Sequence, residues 1–253
     1  MLIRTFPFAL LVFLYIFLTT ASAGEVRIAV AANFTSTLNE ISIQFERESR
    51  HTTLISYGSS GKFYAQIKHG APFDVFLSAD ATRPQLLEKE GLAVPGSRFT
   101  YAVGRLTLWS PDPHMLKDDG PTVLANGRFE HLAIANPKTA PYGTAAKHVL
   151  EQLGLWNHLK DRIVQGENIG QTFQFVFSHN AQLGFVALAQ VLDPKINGAG
   201  SRWNVPEHLH EPLVQHAILL TNGQHNAAAM AFLDFVKGPT GRAIIERFGY
   251  GLE

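Results

Sequence analysis

The sequence predicts an α/β protein built as two lobes with a ligand cleft between them. Short β-branched and apolar runs alternate with segments of helical apolar spacing, which is typical of a mostly parallel sheet covered by helices. The 253 residues exceed a single core of the usual ~100–150 residues. Turn residues also separate two groups of strand–helix units, although a single doubly wound domain is an alternative that length alone leaves open.

Each predicted strand is a short apolar run that leads into a turn and then a helix. After the first strand, Leu38, Ile41 and Phe45 recur at the spacing of one helix face. Gly91 and Gly154 stand just past the ends of two later helices, where glycine favours termination. The predicted strands are 26–31, 53–57, 74–78, 105–109, 131–135, 182–187 and 216–220, and the last two helices are 226–236 and 239–248.

The chain is predicted to pass between the lobes twice. Gly104 marks the first crossing, and the polar segment 203–212, which carries two prolines, marks the second. We therefore assign residues 24–103 plus 218–253 to lobe one and residues 104–217 to lobe two. Ligands of open α/β sheets bind beyond the carboxyl ends of the strands, so the expected site is the cleft between the lobes.

Composition excludes several classes of function. Lysine plus arginine number 21 and aspartate plus glutamate also number 21, so no excess of positive charge favours a nucleic-acid partner. The chain has no cysteine, which removes disulfides, thiolate metal sites and a cysteine nucleophile together.

Residues 1–23 have the layout of an export signal. Arg4 precedes an apolar run at 6–18, and Ala21-Ser22-Ala23 forms a small-residue cleavage site before Gly24. The run is shorter than the ~20 residues that a membrane-spanning helix needs. We expect cleavage near Ala23 and release of the mature chain into a bacterial periplasm.

Four strand-to-helix turns carry small or polar uncharged residues. The N–H groups at a helix start are unpaired and carry partial positive charge, so several starts aimed at one point bind a small anion. Each turn taken singly also fits ordinary helix capping. The four turns are Ala31-Ala-Asn-Phe-Thr35, Gly58-Ser-Ser-Gly61, Ala140-Pro-Tyr-Gly-Thr144 and Asn168-Ile-Gly-Gln171.

In order along the chain, these turns resemble those of the periplasmic molybdate-binding proteins of ABC importers. The blocks at 70–80, 183–190, 237–239 and 248–250 extend the resemblance over the mature chain. It implies the two-lobe, type II periplasmic-binding-protein architecture and capture of molybdate or tungstate for a membrane permease. It also implies a monomer without cofactor or catalytic step, in which molybdenum is held as the oxyanion and not ligated directly by side chains.

The family's ligand contacts can be transferred residue by residue. The resemblance places Asn33 and Ser60 on the anion from lobe one, through side chain or backbone. From lobe two it places Tyr142 and Ile169 on the anion through their backbone N–H groups. Some members use a tyrosine hydroxyl at the position of Ala187, and alanine cannot reproduce that bond.

Two alternative functions also fit parts of the sequence. A receptor for sulfate or another tetrahedral oxyanion is the alternative within the binding class. Ser59 and Lys62 match the Ser-x-x-Lys pattern of serine acyl-transfer enzymes, but the companion motifs of those enzymes are missing.

Histidines and paired carboxylates suggest two further kinds of site. His208, His210 and His216 invite a metal site, although their spacing is loose. Asp118-Asp119 is predicted to be solvated, and Asp74 and Asp80 to make capping or internal hydrogen bonds.

Overall fold

The computed structural model describes residues 23–117, 119–196 and 199–252, and it contains ten strands and ten α-helices in these ranges. The strands are β1 (Glu25–Ala31), β2 (Thr52–Gly58), β3 (Val75–Leu77), β4 (Phe99–Gly104), β5 (Leu106–Ser110), β6 (Leu132–Ala135), β7 (Ile163–Gly166), β8 (Leu183–Ala187), β9 (Ser201–Asn204) and β10 (Leu213–Leu219). The helices are α1 (Thr35–Ser49), α2 (Ser60–Lys68), α3 (Thr82–Lys89), α4 (Gly120–Asn126), α5 (Pro141–Gln152), α6 (Trp156–Leu159), α7 (Ile169–Phe177), α8 (Leu188–Val191), α9 (Ala227–Lys237) and α10 (Pro239–Arg247).

Two five-stranded sheets of matching topology form the two lobes. Their strand orders are β2-β1-β3-β10-β4 in lobe one and β7-β6-β8-β5-β9 in lobe two. In each sheet three neighbouring strands are parallel, and β10 or β5 runs antiparallel to both of its neighbours. The predicted two-lobe α/β fold with mostly parallel sheets is therefore confirmed.

The boundary between the lobes lies earlier than the predicted position between residues 217 and 218, at the end of the polar segment 203–212 that the sequence assigns to the second crossing. β10 pairs with β3 and β4 of lobe one over its length, beginning with Leu213 opposite Gly104. The predicted boundary between residues 217 and 218 would cut this strand, so residues 213–217 join lobe one. Gln215 interrupts the apolar pattern, which is why the sequence places the start of this strand at residue 216, three residues too late.

The strands absent from the sequence prediction are β4, β7 and β9. All three lie at sheet edges, and edge strands tend to be short and partly polar. The last two residues of β9 overlap the start of the segment 203–212, which the sequence predicts to be irregular. Because strands are predicted here from runs of apolar residues, central strands are detected more readily than edge strands.

The carboxyl ends of two adjacent strands in each lobe carry the turns singled out in the sequence. In lobe one, β1 and β2 lead to Asn33 and Ser60, and in lobe two β6 and β7 lead to the starts of α5 and α7. Each lobe has its own apolar core. The core of lobe one includes Phe34, Phe45 and Phe232, and the core of lobe two includes Leu132, Ile134 and Val149. The two pairs of turns are thereby held at the facing edges of the lobes.

Two sequence predictions fall outside the described residues. They are the export signal, apart from Ala23, and the carboxylate of Asp118. Among the helices of the described ranges, none has the length and apolar character needed to cross a membrane.

Candidate anion-binding site

A small cavity lies between the lobes where the four turns meet. Its volume is about 10 Å³, roughly the space taken by one water-sized sphere. Asn33 and Ser60 line it from lobe one, and Tyr142 and Ile169 line it from lobe two. The structure therefore brings together all four residues that the sequence selects.

Helix starts surround the cavity. Ser60 and Ile169 are the first residues of α2 and α7, and Tyr142 is the second residue of α5. N–H groups in the first turn have no acceptor within the helix, and the helix dipole makes this end positive. Three such ends at one cavity favour a negatively charged ligand.

Two serine hydroxyls add to the backbone donors. Ser60 Oγ accepts a hydrogen bond from the Ala79 N–H at 2.9 Å, so its own proton is left for a ligand. Ser59 also lines the cavity, and its Oγ is buried without a partner among the described residues. Although Ser59 is the N-cap of α2, its side chain makes no capping bond. The structure thus adds Ser59, which the sequence suggested only as a nucleophile.

The lining carries no formal charge. All the residues around the cavity are small, apolar or polar and neutral: Ala31, Ala32, Asn33, Gly58, Ser59, Ser60, Ala79, Ala140, Pro141, Tyr142, Asn168 and Ile169. No carboxylate in this set accepts a proton from a ligand. The arrangement suits an oxyanion that is fully ionised and needs donors only.

Direct contacts join the lobes beside the cavity. The Gly61 N–H donates to the Thr139 carbonyl oxygen at 2.8 Å. Ser36 Oγ donates to a carboxylate oxygen of Asp193 at 2.5 Å. Because each contact joins one lobe to the other, the cleft is closed.

The acyl-transfer alternative finds no support in this geometry. Lys62 forms an exposed ion pair with Glu167 of lobe two. Ser59 Oγ has no base hydrogen-bonded to it among the described residues. An activated serine needs a general base within hydrogen-bonding reach.

A buried polar network lies behind the cavity, and Gln215 is at its centre. Its Oε1 accepts from Asn33 Nδ2 at 2.8 Å and from the Tyr101 hydroxyl at 2.9 Å, and its Nε2 donates to the Tyr142 hydroxyl at 3.2 Å. Asn33 Nδ2 also donates to the Tyr250 hydroxyl at 3.1 Å. Burial raises the pKa of Tyr101 and Tyr142 well above the usual value, so both hydroxyls stay neutral. Sequence reasoning missed Gln215; a glutamine within a mostly apolar strand is a signal that could have indicated a buried polar residue, but not its partners.

The Tyr142 hydroxyl is therefore expected to affect anion binding. The sequence predicts that only the backbone N–H acts, which would make Tyr142→Phe neutral. In the structure the substitution leaves Gln215 Nε2 buried without its acceptor, and the lost bond joins lobe two to lobe one. An orphaned buried donor costs about 1–3 kcal/mol, so we expect about a tenfold loss of anion affinity in a calorimetric titration.

Tyr101→Phe is the matched control for this prediction. It removes another hydroxyl from Gln215, but Tyr101 lies on β4 in the same lobe as Gln215. We expect it to lower the free energy of unfolding with less effect on affinity. Equal affinity of Tyr142→Phe and the unmodified protein would restrict Tyr142 to its backbone role.

The other candidate residues lie away from the cavity lining. The described residues contain no group of three or more side chains placed to hold a metal ion. His216 contacts Arg98 and Thr100 within lobe one. Asp74 accepts the Arg27 N–H at 2.8 Å, an internal hydrogen bond of the kind predicted.

Comparison with known proteins identifies the class of protein to which this chain belongs. Residues 26–251 match the bacterial extracellular solute-binding proteins, and the chain belongs to that family.

Within this class, its relatives include two molybdate-binding proteins. The molybdate-binding protein ModA of Azotobacter vinelandii is 54% identical over 234 residues, covering 92% of each chain. That of Rhodobacter capsulatus is 49% identical over 233 residues, covering 92% of this chain and 90% of the relative. The solved structure of the Azotobacter vinelandii periplasmic molybdate-binding protein superimposes with a TM-score of 0.87 at 43% identity, covering 90% of this chain and 99% of that one.

Proposed function

We propose that this protein captures molybdate in the cleft and delivers it to the membrane permease of an ABC importer. The observation that carries the proposal is the uncharged cavity, lined from both lobes at the starts of three helices. The 54% identity to a molybdate-binding protein supports the choice of ion. No catalytic step and no cofactor are part of the proposal.

The charge of the ligand explains the chemistry of the lining. Molybdate and tungstate are dianions without protons at neutral pH, so they accept hydrogen bonds and donate none. A cavity without carboxylates therefore suits them better than it suits hydrogen phosphate, whose proton needs an acceptor. Sulfate has the same charge and the same acceptors, so its exclusion depends on the size of the closed cavity.

The proposed contacts come from both lobes. Asn33, Ser59 and Ser60 bind the anion from lobe one, and the N–H groups of Tyr142 and Ile169 bind it from lobe two. Hydrogen bonds to charged groups contribute about 1.5–3 kcal/mol each. Molybdenum is held through its oxygens, so no side chain ligates the metal.

Closure links binding to transport. An anion held by donors from both lobes stabilises the closed form relative to an open one. The permease then distinguishes the loaded protein by the surface that closure creates. We propose that the protein works as a monomer, because each chain supplies both halves of its own site.

Calorimetric titration of the ligand-free mature protein tests the proposal. We expect saturable 1:1 binding of molybdate and tungstate, with sulfate and phosphate much weaker. Equal affinity for sulfate would favour the general tetrahedral-oxyanion receptor. Absence of heat with all four ions would reject the oxyanion assignment.

We also propose that the protein acts in the periplasm after removal of its first 23 residues. The Ala21-Ser22-Ala23 site motivates this prediction. Mass spectrometry of the periplasmic fraction is expected to show a chain that begins at Gly24. A chain that retains Met1 in that fraction would contradict the predicted cleavage.

A further inference from the structure

In the closed cleft the side-chain amide of Asn33 is oriented unfavourably for binding an anion. Both of its N–H groups are used inside the protein, one on Gln215 Oε1 and one on the Tyr250 hydroxyl. Its Oδ1 is buried without a partner among the described residues. In this arrangement the free atom of the amide is an acceptor, which an oxyanion would repel.

The Asn33 amide cannot turn its N–H groups toward the ligand unless Gln215 also changes its orientation. If its amide turned over, Oδ1 would take the place of Nδ2, 2.8 Å from Gln215 Oε1. Two acceptors would then face each other in a buried site, where an unmatched polar pair is costly. The Gln215 amide must therefore turn with it.

The paired rotation leaves Gln215 and Tyr142 with suitable partners. Gln215 Nε2 then donates to Asn33 Oδ1, and Gln215 Oε1 accepts the proton of the Tyr142 hydroxyl. A neutral tyrosine hydroxyl can serve either as donor or as acceptor. The Tyr250 hydroxyl turns its proton from the Asn33 carbonyl oxygen to Asn33 Oδ1. The Tyr101 hydroxyl, which donates to Gln215 Oε1 in the structure, then accepts from the second N–H of Gln215 Nε2.

We propose that Gln215 is a positioning residue for the anion, because its amide orientation decides whether Asn33 presents N–H groups or an oxygen to the ligand. This inference rests on the proposed function. Gln215 never touches the anion. It acts through Asn33 on one side and through Tyr142 of lobe two on the other.

Gly104, at the first crossing, leaves space for the contact between the Gln215 amide and the Tyr142 hydroxyl. A Cβ atom at Gly104 would overlap the Tyr142 hydroxyl and Gln215 Nε2. Gly104 is the last residue of β4 and adjoins Arg105, where the chain enters lobe two. The network therefore lies at the joint between the lobes, where it can couple the amide orientation to closure.

A double-mutant cycle on molybdate affinity tests the inference. Gln215→Met keeps the side-chain length but cannot donate to Asn33 Oδ1 in the loaded state. In the ligand-free state Asn33 Nδ2 keeps Tyr250, so the loss falls mainly on binding. Because Gln215→Met also removes the bond to Tyr142, the cycle is run in the Tyr142→Phe background, which has already lost that bond. There we expect about tenfold weaker molybdate binding on adding Gln215→Met, and less than about a twofold effect when Asn33→Ala is also present.

The outcomes separate the possible explanations. Equal losses from Gln215→Met in both backgrounds would show a merely structural role and overturn the inference. Unchanged affinity in Gln215→Met would also overturn it. Failure of the unmodified protein to bind molybdate would instead reject the proposed function.

Nuclear magnetic resonance of the unmodified protein gives a second measurement, which does not depend on a substituted variant folding correctly. Cross-peaks between the Asn33 amide protons and the Tyr250 ring are expected in the ligand-free protein. They are expected to disappear when molybdate is added, and cross-peaks between the Asn33 and Gln215 side chains are expected to persist. Retention of the Tyr250 cross-peaks in the loaded protein would overturn the paired rotation.

Discussion

Ser60→Ala is expected to weaken molybdate binding by about 10- to 150-fold, the equivalent of the ~1.5–3 kcal/mol of a hydrogen bond to a charged group. The hydroxyl has two tasks in the structure. It accepts the Ala79 N–H at 2.9 Å, and its own proton is left for the anion. Alanine removes both bonds at a position that is fully buried. Titration calorimetry measures the loss of the bond to the anion, and chemical unfolding of the ligand-free protein measures the loss of the bond from the Ala79 N–H.

Ser59→Ala is the matched control, because it removes a neighbouring hydroxyl with no partner among the described residues. We expect it to weaken binding, since Ser59 lines the same cavity. Stability of the ligand-free protein should not fall, whereas Ser60→Ala should lower it by about 1–3 kcal/mol through the orphaned Ala79 N–H. If neither variant changes molybdate affinity, lobe one does not bind the ion through these hydroxyls.

The candidate site could be predicted from the sequence because its parts are local. Asn33, Ser60 and Ile169 each follow a strand closely, and parallel strands bring their carboxyl ends to one edge. The resemblance to a known family then selected these positions among many ordinary helix caps. The local pattern and the family resemblance therefore indicate the same positions, although neither contains information about contacts between the lobes.

Gln215 shows what the sequence could not provide. Its bonds to Asn33 and Tyr142 span 182 and 73 positions of the chain. No local pattern encodes pairings of that range, and the polar side chain obscured the start of β10 instead. The Tyr142 hydroxyl was missed for the same reason, because its partner lies in the other lobe.

The shared architecture of the two lobes explains how a dianion can be held without a formal positive charge. Each lobe presents the same structural unit, two adjacent parallel strands whose ends lead into helical turns. Partial charges from separate helices add at the cavity, while Lys62 is engaged with Glu167 in an exposed ion pair. Because helix dipoles supply the positive potential, no lysine or arginine has to be buried at the site, and the free-energy cost of desolvating such a charged side chain is avoided.

Gly61→Ala is expected to prevent full closure and to weaken molybdate binding by about 5- to 150-fold, the range that corresponds to ~1–3 kcal/mol of overpacking. A Cβ atom at Gly61 would lie 2.9 Å from both the Cα atom and the carbonyl oxygen of Thr139 in lobe two. Backbone atoms at that distance cannot yield as a flexible side chain can. The lobes must separate instead, which pulls the Tyr142 and Ile169 N–H groups away from the anion.

The same substitution should leave the ligand-free protein stable, because an open cleft avoids the clash without disturbing either core. We therefore expect an unchanged melting temperature without ligand and a smaller rise on adding molybdate, since ligand stabilisation follows the ratio of ligand concentration to Kd. Lys62→Ala is the control for the loss of an interlobe contact without a clash. Its ion pair with Glu167 is exposed, and exposed pairs contribute about 0–1 kcal/mol, so less than about a fivefold change in affinity is expected. If Gly61→Ala binds molybdate as tightly as the unmodified protein, the approach of Gly61 to Thr139 is not required for capture, and the anion is held without the closed geometry described above.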